Sequence, residues 1–296
     1  MDVINNHKLY YTSDQNVLNI SNLRQLSSYQ KKGIDCFFIA IYRIKCNMFS
    51  AVRSWFPDEL DNGNYQFNDN NQYKQNFNKA SYTDIDKING WCLWLFKAIF
   101  GDSLSFKKYA NSNINVVVYI LVWLSYKLNQ KTNNGITQFM DFYTGHVKNV
   151  KEYQNPINDV GAYNSYDDLI NKKNYLMKMN IKDISKFYDA FKSLCEMYTE
   201  FDEDNPKCEK YLEGDNEFVK KYDQLKKDSD INKDDSYSQI FSILLNDYDN
   251  LKNKCNIFSS LLTYSLISIA FIFVAIPIFF GISYKVNIKE FKNYFH

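Results

Sequence analysis

Between Leu261 and Tyr284 the chain runs through 24 residues without a charge, "LLTYSLISIAFIFVAIPIFFGISY". As a helix this stretch is about 36 Å long at roughly 1.5 Å per residue, enough to cross a hydrocarbon core of about 30 Å. A buried core helix is usually shorter and keeps a polar stripe, which this segment lacks. It therefore reads as one transmembrane helix with the lipid bilayer as its partner. Pro277 is compatible with that reading and predicts a mild kink, since neighbouring groups in a membrane helix can satisfy the freed carbonyl.

Everything before this span is of another kind. Hydrophobic residues make up 45% of the chain and aromatic ones 17%, ample for a packed core. A formal net charge of +1, with both signs interleaved, gives no electrostatic case for nucleic acid. The opening "MDVINNHKLYYTSDQ" has neither a basic start nor an apolar core, so it does not read as a cleavable signal. Ile34 to Tyr42 is an apolar run behind two lysines, but Asp35 interrupts it; it reads as the first turns of an amphipathic helix rather than as a recessed signal core. Asn19-Ile-Ser21 is a glycosylation sequon of low specificity.

The periodicity of the polar region is helical. Ile85, Ile88, Cys92, Leu95, Phe96 and Ile99 share one face, with a capping box predicted at Thr83 and Asp86 and a stop at Gly101. Ile114, Val117, Leu121, Leu124 and Leu128 also recur at helical intervals, and the solidly apolar part, Val116 to Leu124, is too short for a bilayer. This predicts a buried central helix. Further stripes run through Ile136, Phe139, Tyr143, Val147 and Val150, then from Ile184 through Phe187, Phe191 and Leu194 to Tyr198. After the break at Asn205-Pro206, Tyr211, Phe218, Tyr222 and Leu225 predict a helix folding back, and "KKDSDINKDD" a solvated loop. Tyr237, Ile240, Leu244, Tyr248 and Leu251 mark a last helix leading to Cys255. No hairpin pattern of alternating residues surrounds Asn62-Gly63. The fold class is all-α: a multi-helix ectodomain followed by a single C-terminal transmembrane helix.

Catalytic chemistry finds little support. His7, His146 and His296 have no partners at metal or triad spacing, and each reads as an ordinary surface residue. "DELDNGNYQFND" places Gly63 like the glycine of a calcium loop, but Leu60 and Asp69 occupy ligand positions wrongly, leaving a plain turn. Nine glycines include no phosphate-cradling loop. Trp55, Trp91, Trp94 and Trp123 read as core. The expectation is a non-enzyme without cofactor or metal. Cys36, Cys46, Cys92, Cys195, Cys208 and Cys255 include no Cys-x-x-Cys pair, so zinc and thioredoxin readings fall away. Disulfides suit a region facing an oxidising space; buried thiols in a reduced domain are the alternative. Cys195 and Cys208 flank the Asn205-Pro206 break and are the candidate staple of a helical hairpin. Cys46 and Cys92 are the further candidates.

The blocks "CNMFSAVRSWFPDELDNGNYQF", "INGWCLWLF", "SNINVVVYILVWLSYKLNQ", "NIKDISKFYDAFKSLCEMYTEFD", "FVKKYDQLKKD" and "LLNDYDNLKNKC" appear in this order, followed by the terminal apolar helix. From Cys46 to about Lys285 the chain thereby resembles the Plasmodium interspersed repeat (PIR) proteins, of the kind found in rodent malaria parasites. The resemblance implies a variant protein exported into or onto the infected red cell, with a helical ectodomain, one membrane helix and a short cytoplasmic tail. It further implies antigenic variation and binding to a host-cell receptor or antibody; a structural or trafficking role at internal or vacuolar membranes is the alternative. The expected organisation is an atypical N-terminal extension at 1–45, a helical ectodomain at 46–254, the membrane segment at 255–284 and the tail at 285–296. The chain departs from the family where a cysteine pair is expected near "YKQNFNKASYTDID" and none stands between Cys46 and Cys92. An export signal of the form Arg-x-Leu-x-acidic is only half present in Arg24-Gln-Leu26-Ser-Ser28.

Overall fold

The computed structural model describes residues 42–255, apart from short stretches at 69–72, 75–78, 102–105, 107–113, 132–134, 158–162, 202–207, 213–215 and 233–234. The apolar segment at 261–284, the sequon at Asn19, most of the N-terminal extension and Cys36 lie outside the described residues. Among the described residues the architecture is all-α, and no helix is long and apolar enough to cross a membrane. The only extended pairings there are isolated bridges, Asp61 with Asn64 and Gln138 with Asn180.

The main helices are α1 (42–55), α2 (Asp84–Phe100), α3 (Val116–Asn129), α4 (Phe139–His146), α5 (Tyr166–Asn171), α6 (Ile181–Ser185), α7 (Tyr188–Glu200), α8 (Glu217–Lys227) and α9 (238–255). In α1, described from residue 42, Tyr42 and Lys45 are buried. The expected capping box opens α2: the Thr83 side chain accepts from the Asp86 amide at 3.2 Å, and the Asp86 carboxylate accepts from the Thr83 amide at 3.0 Å. Gly101 closes it; a Cβ there would lie 2.1 Å from the Lys97 carbonyl oxygen. α3 is the central helix, buried on every side except at Tyr126 and Asn129, which explains its all-round apolar sequence.

Two predicted stripes break where a continuous helix was expected. α4 ends at His146, whose carbonyl accepts from the Asn89 amide at 2.9 Å, and the chain re-enters a helical turn only at Lys151–Gln154. The stripe from Ile184 to Tyr198 is split between α6 and α7 by a tighter turn, in which the Phe187 amide reaches back three residues to the Ile184 carbonyl. The predicted loop after α8 also holds a turn of helix, Ser229–Asn232, because Ile231 is buried. Asn62 and Gly63 both have positive φ, +49° and +76°, in a two-residue turn whose flanks Asp61 and Asn64 exchange backbone hydrogen bonds.

Helix directions follow from named contacts. Cys46 bonds to Cys195 and Tyr42 stacks on Tyr198 at 4.9 Å, so α1 runs antiparallel to α7. Tyr119 meets Phe191 at 4.0 Å and Tyr126 meets Tyr188 at 4.1 Å, so α3 is antiparallel to α7 as well. Phe187 packs on Phe241 at 5.1 Å while the Tyr198 hydroxyl donates to the Asp247 carbonyl at 2.6 Å, so α7 and α9 run the same way. The C-terminal ends of α7 and α9 and the N-terminal end of α1 therefore share one end of the bundle. The turn at Asp61–Asn64 and the end of α3 share the other.

Candidate functional site

Among the described residues, two clusters of buried charged groups stand out. In the middle of α9, the stripe Ile240, Leu244, Leu251 carries Asp247 in core register, and the side chain is fully buried. Its Oδ1 accepts from the Tyr42 hydroxyl of α1 and its Oδ2 from the Tyr119 hydroxyl of α3 at 2.7 Å. Tyr198 of α7 holds the same residue's carbonyl. Lys45, one turn after Tyr42, is also buried and places its ammonium 4.8 Å from the Tyr42 ring centre. One residue thus ties three helices to α9: α1 and α3 through its carboxylate and α7 through its backbone carbonyl. Burial raises the Asp247 carboxyl to about 6 even though both tyrosines and Lys45 oppose the shift. Burial likewise lowers Lys45 to about 7 against the pull of Asp247.

The second cluster lies at the opposite end. Lys127 of α3 is fully buried, donates to the Pro57 carbonyl at 2.5 Å and stands 3.6 Å from Asp58. Its ammonium sits 4.2 Å from the Phe56 ring centre. Asp58 also accepts from Tyr188 at 2.7 Å and from Lys192 at 3.0 Å. Desolvation lowers Lys127 to about 8, with Asp58 acting against it. This network pins the loop after α1 to α3 and α7.

The cysteines pair differently from the staple expected across the Asn205-Pro206 break. Cys195 bonds to Cys46, and Cys208 bonds to Cys255, with Cα separations of 5.0 and 5.3 Å. Cys195 and Cys208 are thus both in disulfides, but with partners distant in sequence. The reason is topological: α1 returns alongside α7, and the chain after α7 lies against the end of α9, where Tyr211 accepts from the Tyr248 hydroxyl at 3.0 Å. Of the two further candidates, Cys46 lies in the bond to Cys195, whereas Cys92 is a buried free thiol. Burial pushes Cys92 up to about 12, which suppresses the thiolate and with it nucleophilic reactivity.

The space among Phe49, Arg53, Tyr119, Trp123 and Phe191 measures about 10 Å³, one water at most, far below a small-molecule pocket. Among the described residues, no cluster of His, Cys, Asp and Glu is arranged to hold a metal. His146 is half-buried and stacks on Phe142 at 5.2 Å, so it belongs to the packing more than to the surface. Trp91 and Trp123 are buried, and Trp55 stacks on Trp91 at 5.5 Å, as core residues. Asp247, Lys45, Lys127 and Asp58 were missed from sequence. The available signal was a charge at a helical core position: Asp247 within the α9 stripe, and Lys127 four residues after Trp123 in an otherwise uncharged helix.

Comparison with known proteins gives the same architecture a family setting. The family described as Plasmodium variant antigen protein Cir/Yir/Bir matches residues 46–285. The solved structure titled "Structure of a Plasmodium PIR protein ectodomain" is similar at 30% identity with a TM-score of 0.54, covering 74% of this chain and 93% of that one. No curated protein matches.

Proposed function

The chain belongs to the Plasmodium variant antigen family Cir/Yir/Bir, and from that premise we propose that it is a single-pass membrane protein displaying a disulfide-bonded helical ectodomain on the infected red cell or its vacuolar membrane. The ectodomain takes part in antigenic variation and meets a host receptor or antibody; the short tail after Tyr284 sits in the cytosol. The observation that carries this reading is the pair of disulfides within the matched region, Cys46–Cys195 and Cys208–Cys255. Disulfides that close long stretches of chain persist in secretory and exterior spaces and are rare in reducing ones. Their placement supports an anchor too, since Cys255 is fixed to the body six residues before the apolar span proposed to begin at Leu261.

Deleting Leu261 to Tyr284 is expected to move the protein from the carbonate-resistant membrane fraction into the soluble one. A deletion variant that stayed in the membrane would refute the anchor. Retention of the full chain in internal membranes, with its cysteines reducible in intact cells, would favour the structural or trafficking role.

A further inference from the structure

Both disulfides sit at the end of the bundle where α1 begins and α9 finishes. Cys46 lies one turn after Tyr42 in α1, Cys195 lies in the last turns of α7, and Cys255 closes α9. All four bonded cysteines are buried. The bonds divide the body into two covalent rings that follow one another without overlap. Cys46–Cys195, with a sequence separation of 149, encloses α2 to α6 and most of α1 and α7; Cys208–Cys255, with a separation of 47, encloses α8 and α9. Residues 196–207 join one ring to the other, and Cys255 leads on to the segment proposed as the anchor.

Because α1 starts where α9 ends, a pull between the two peels the bundle open from that end instead of sliding whole helices past one another. The contacts loaded first are Tyr42 on Asp247 and on Tyr198, and Arg43 on the Phe201 carbonyl. Contacts broken one after another each bear the full load, and forced unfolding is governed by the unfolding rate, so non-covalent contacts alone resist this geometry poorly. The two bonds close that route. Tension entering at α1 crosses from Cys46 to Cys195, follows 196–207 to Cys208 and crosses again to Cys255, so that α2 to α6, α8 and all of α9 before Cys255 lie off the covalent path. The described part of the joining stretch is itself pinned: Tyr198 donates to the Asp247 carbonyl at 2.6 Å, and Phe201 meets Tyr211 at 5.6 Å.

We propose that the two disulfides act in series as a load-bearing strap, which carries tension from α1 to the anchor past the helices of both rings and limits the extension of the whole body to that of residues 196–207. The direction of the load rests on the anchored reading above. A bond that served stability alone could join any two neighbouring helices; here both bonds stand at the end where a peeling force would act, and the chain between them is short.

The test is a single-molecule pull on the full chain in detergent, with one handle on a non-natural residue at position 44, where Ile44 is exposed, and the other on a tag after His296. The stretch after Cys255 contributes equally to every variant. At about 3.6 Å per residue, the chain that can be drawn out between 46 and 255 is about 50 Å with both bonds closed and about 750 Å with neither. It is about 220 Å in the double variant Cys208→Ser, Cys255→Ser and about 580 Å in Cys46→Ser, Cys195→Ser. Wild type should stop at the shortest of these lengths. A phosphine reductant added under load should then lengthen it in two discrete jumps totalling about 700 Å, a readout that requires no variant to fold. Wild type that releases several hundred ångströms before reductant is added, or a reductant that lengthens nothing, overturns the strap. Flotation of the full chain with lipid vesicles tests the anchored reading separately, because the pull itself uses no bilayer.

Discussion

Replacing Cys46 and Cys195 together by serine is expected to destabilise the ectodomain by about 4 kcal/mol, the upper part of the usual disulfide range, because the bond joins positions 149 residues apart. For a body of this size that lowers the melting temperature by roughly 8–16 °C. The effect arises mainly in the unfolded chain, which regains the freedom the crosslink removed. Cys92→Ala provides the contrast: a buried thiol is lost but no crosslink, and about 1 kcal/mol is expected. Thermal unfolding followed by circular dichroism separates the two. Equal melting of the double variant and the wild type would mean that Cys46 and Cys195 are not bonded.

Asp247→Leu should be comparably damaging, at about 3–5 kcal/mol, the usual cost of removing one member of a buried charged network. The substitution takes away the acceptor shared by Tyr42 and Tyr119 and the carboxylate facing Lys45. Asp247→Asn, which keeps an oxygen in place, should cost less and exposes the pH dependence. The folded-state carboxyl, at about 6, stands above its ordinary 3.8, so the folded protein holds that proton more tightly than the unfolded chain. Its stabilising contribution is complete below the unfolded value and is lost as pH rises through about 6. Wild type should therefore gain stability relative to Asp247→Asn as pH falls from 7 to 4 in urea titrations. Lys45 has the opposite sense: its folded value, about 7, lies below 10.5, so its contribution is lost as pH falls and is regained above that range. A wild-type advantage over Asp247→Asn that stayed constant across this interval would show that the carboxylate does not titrate in the core.

The helices themselves were legible because their signals are local. Thr83 and Asp86 announced the start of α2, Gly101 its end, and the spacing of Ile114 to Leu128 described α3. The breaks in two stripes were not legible, because what ends α4 is an asparagine from another helix, Asn89, on the His146 carbonyl. The same holds for the cysteines. Proximity in sequence favoured Cys195 with Cys208, whereas pairing is decided by which helices lie side by side, and α1 and α9 come from the two ends of the described chain. Asp247 and Lys127 were visible as charges at core positions, but their partners, Tyr42, Tyr119 and the Pro57 carbonyl, are set by tertiary packing alone.

The central claim is a membrane-held ectodomain facing outward, and protease added to intact infected cells tests it most directly. The account predicts that an epitope within residues 46–254 is destroyed while a tag after His296 is spared. Protection of both would contradict surface display, and loss of the tag alone would show the topology to be inverted.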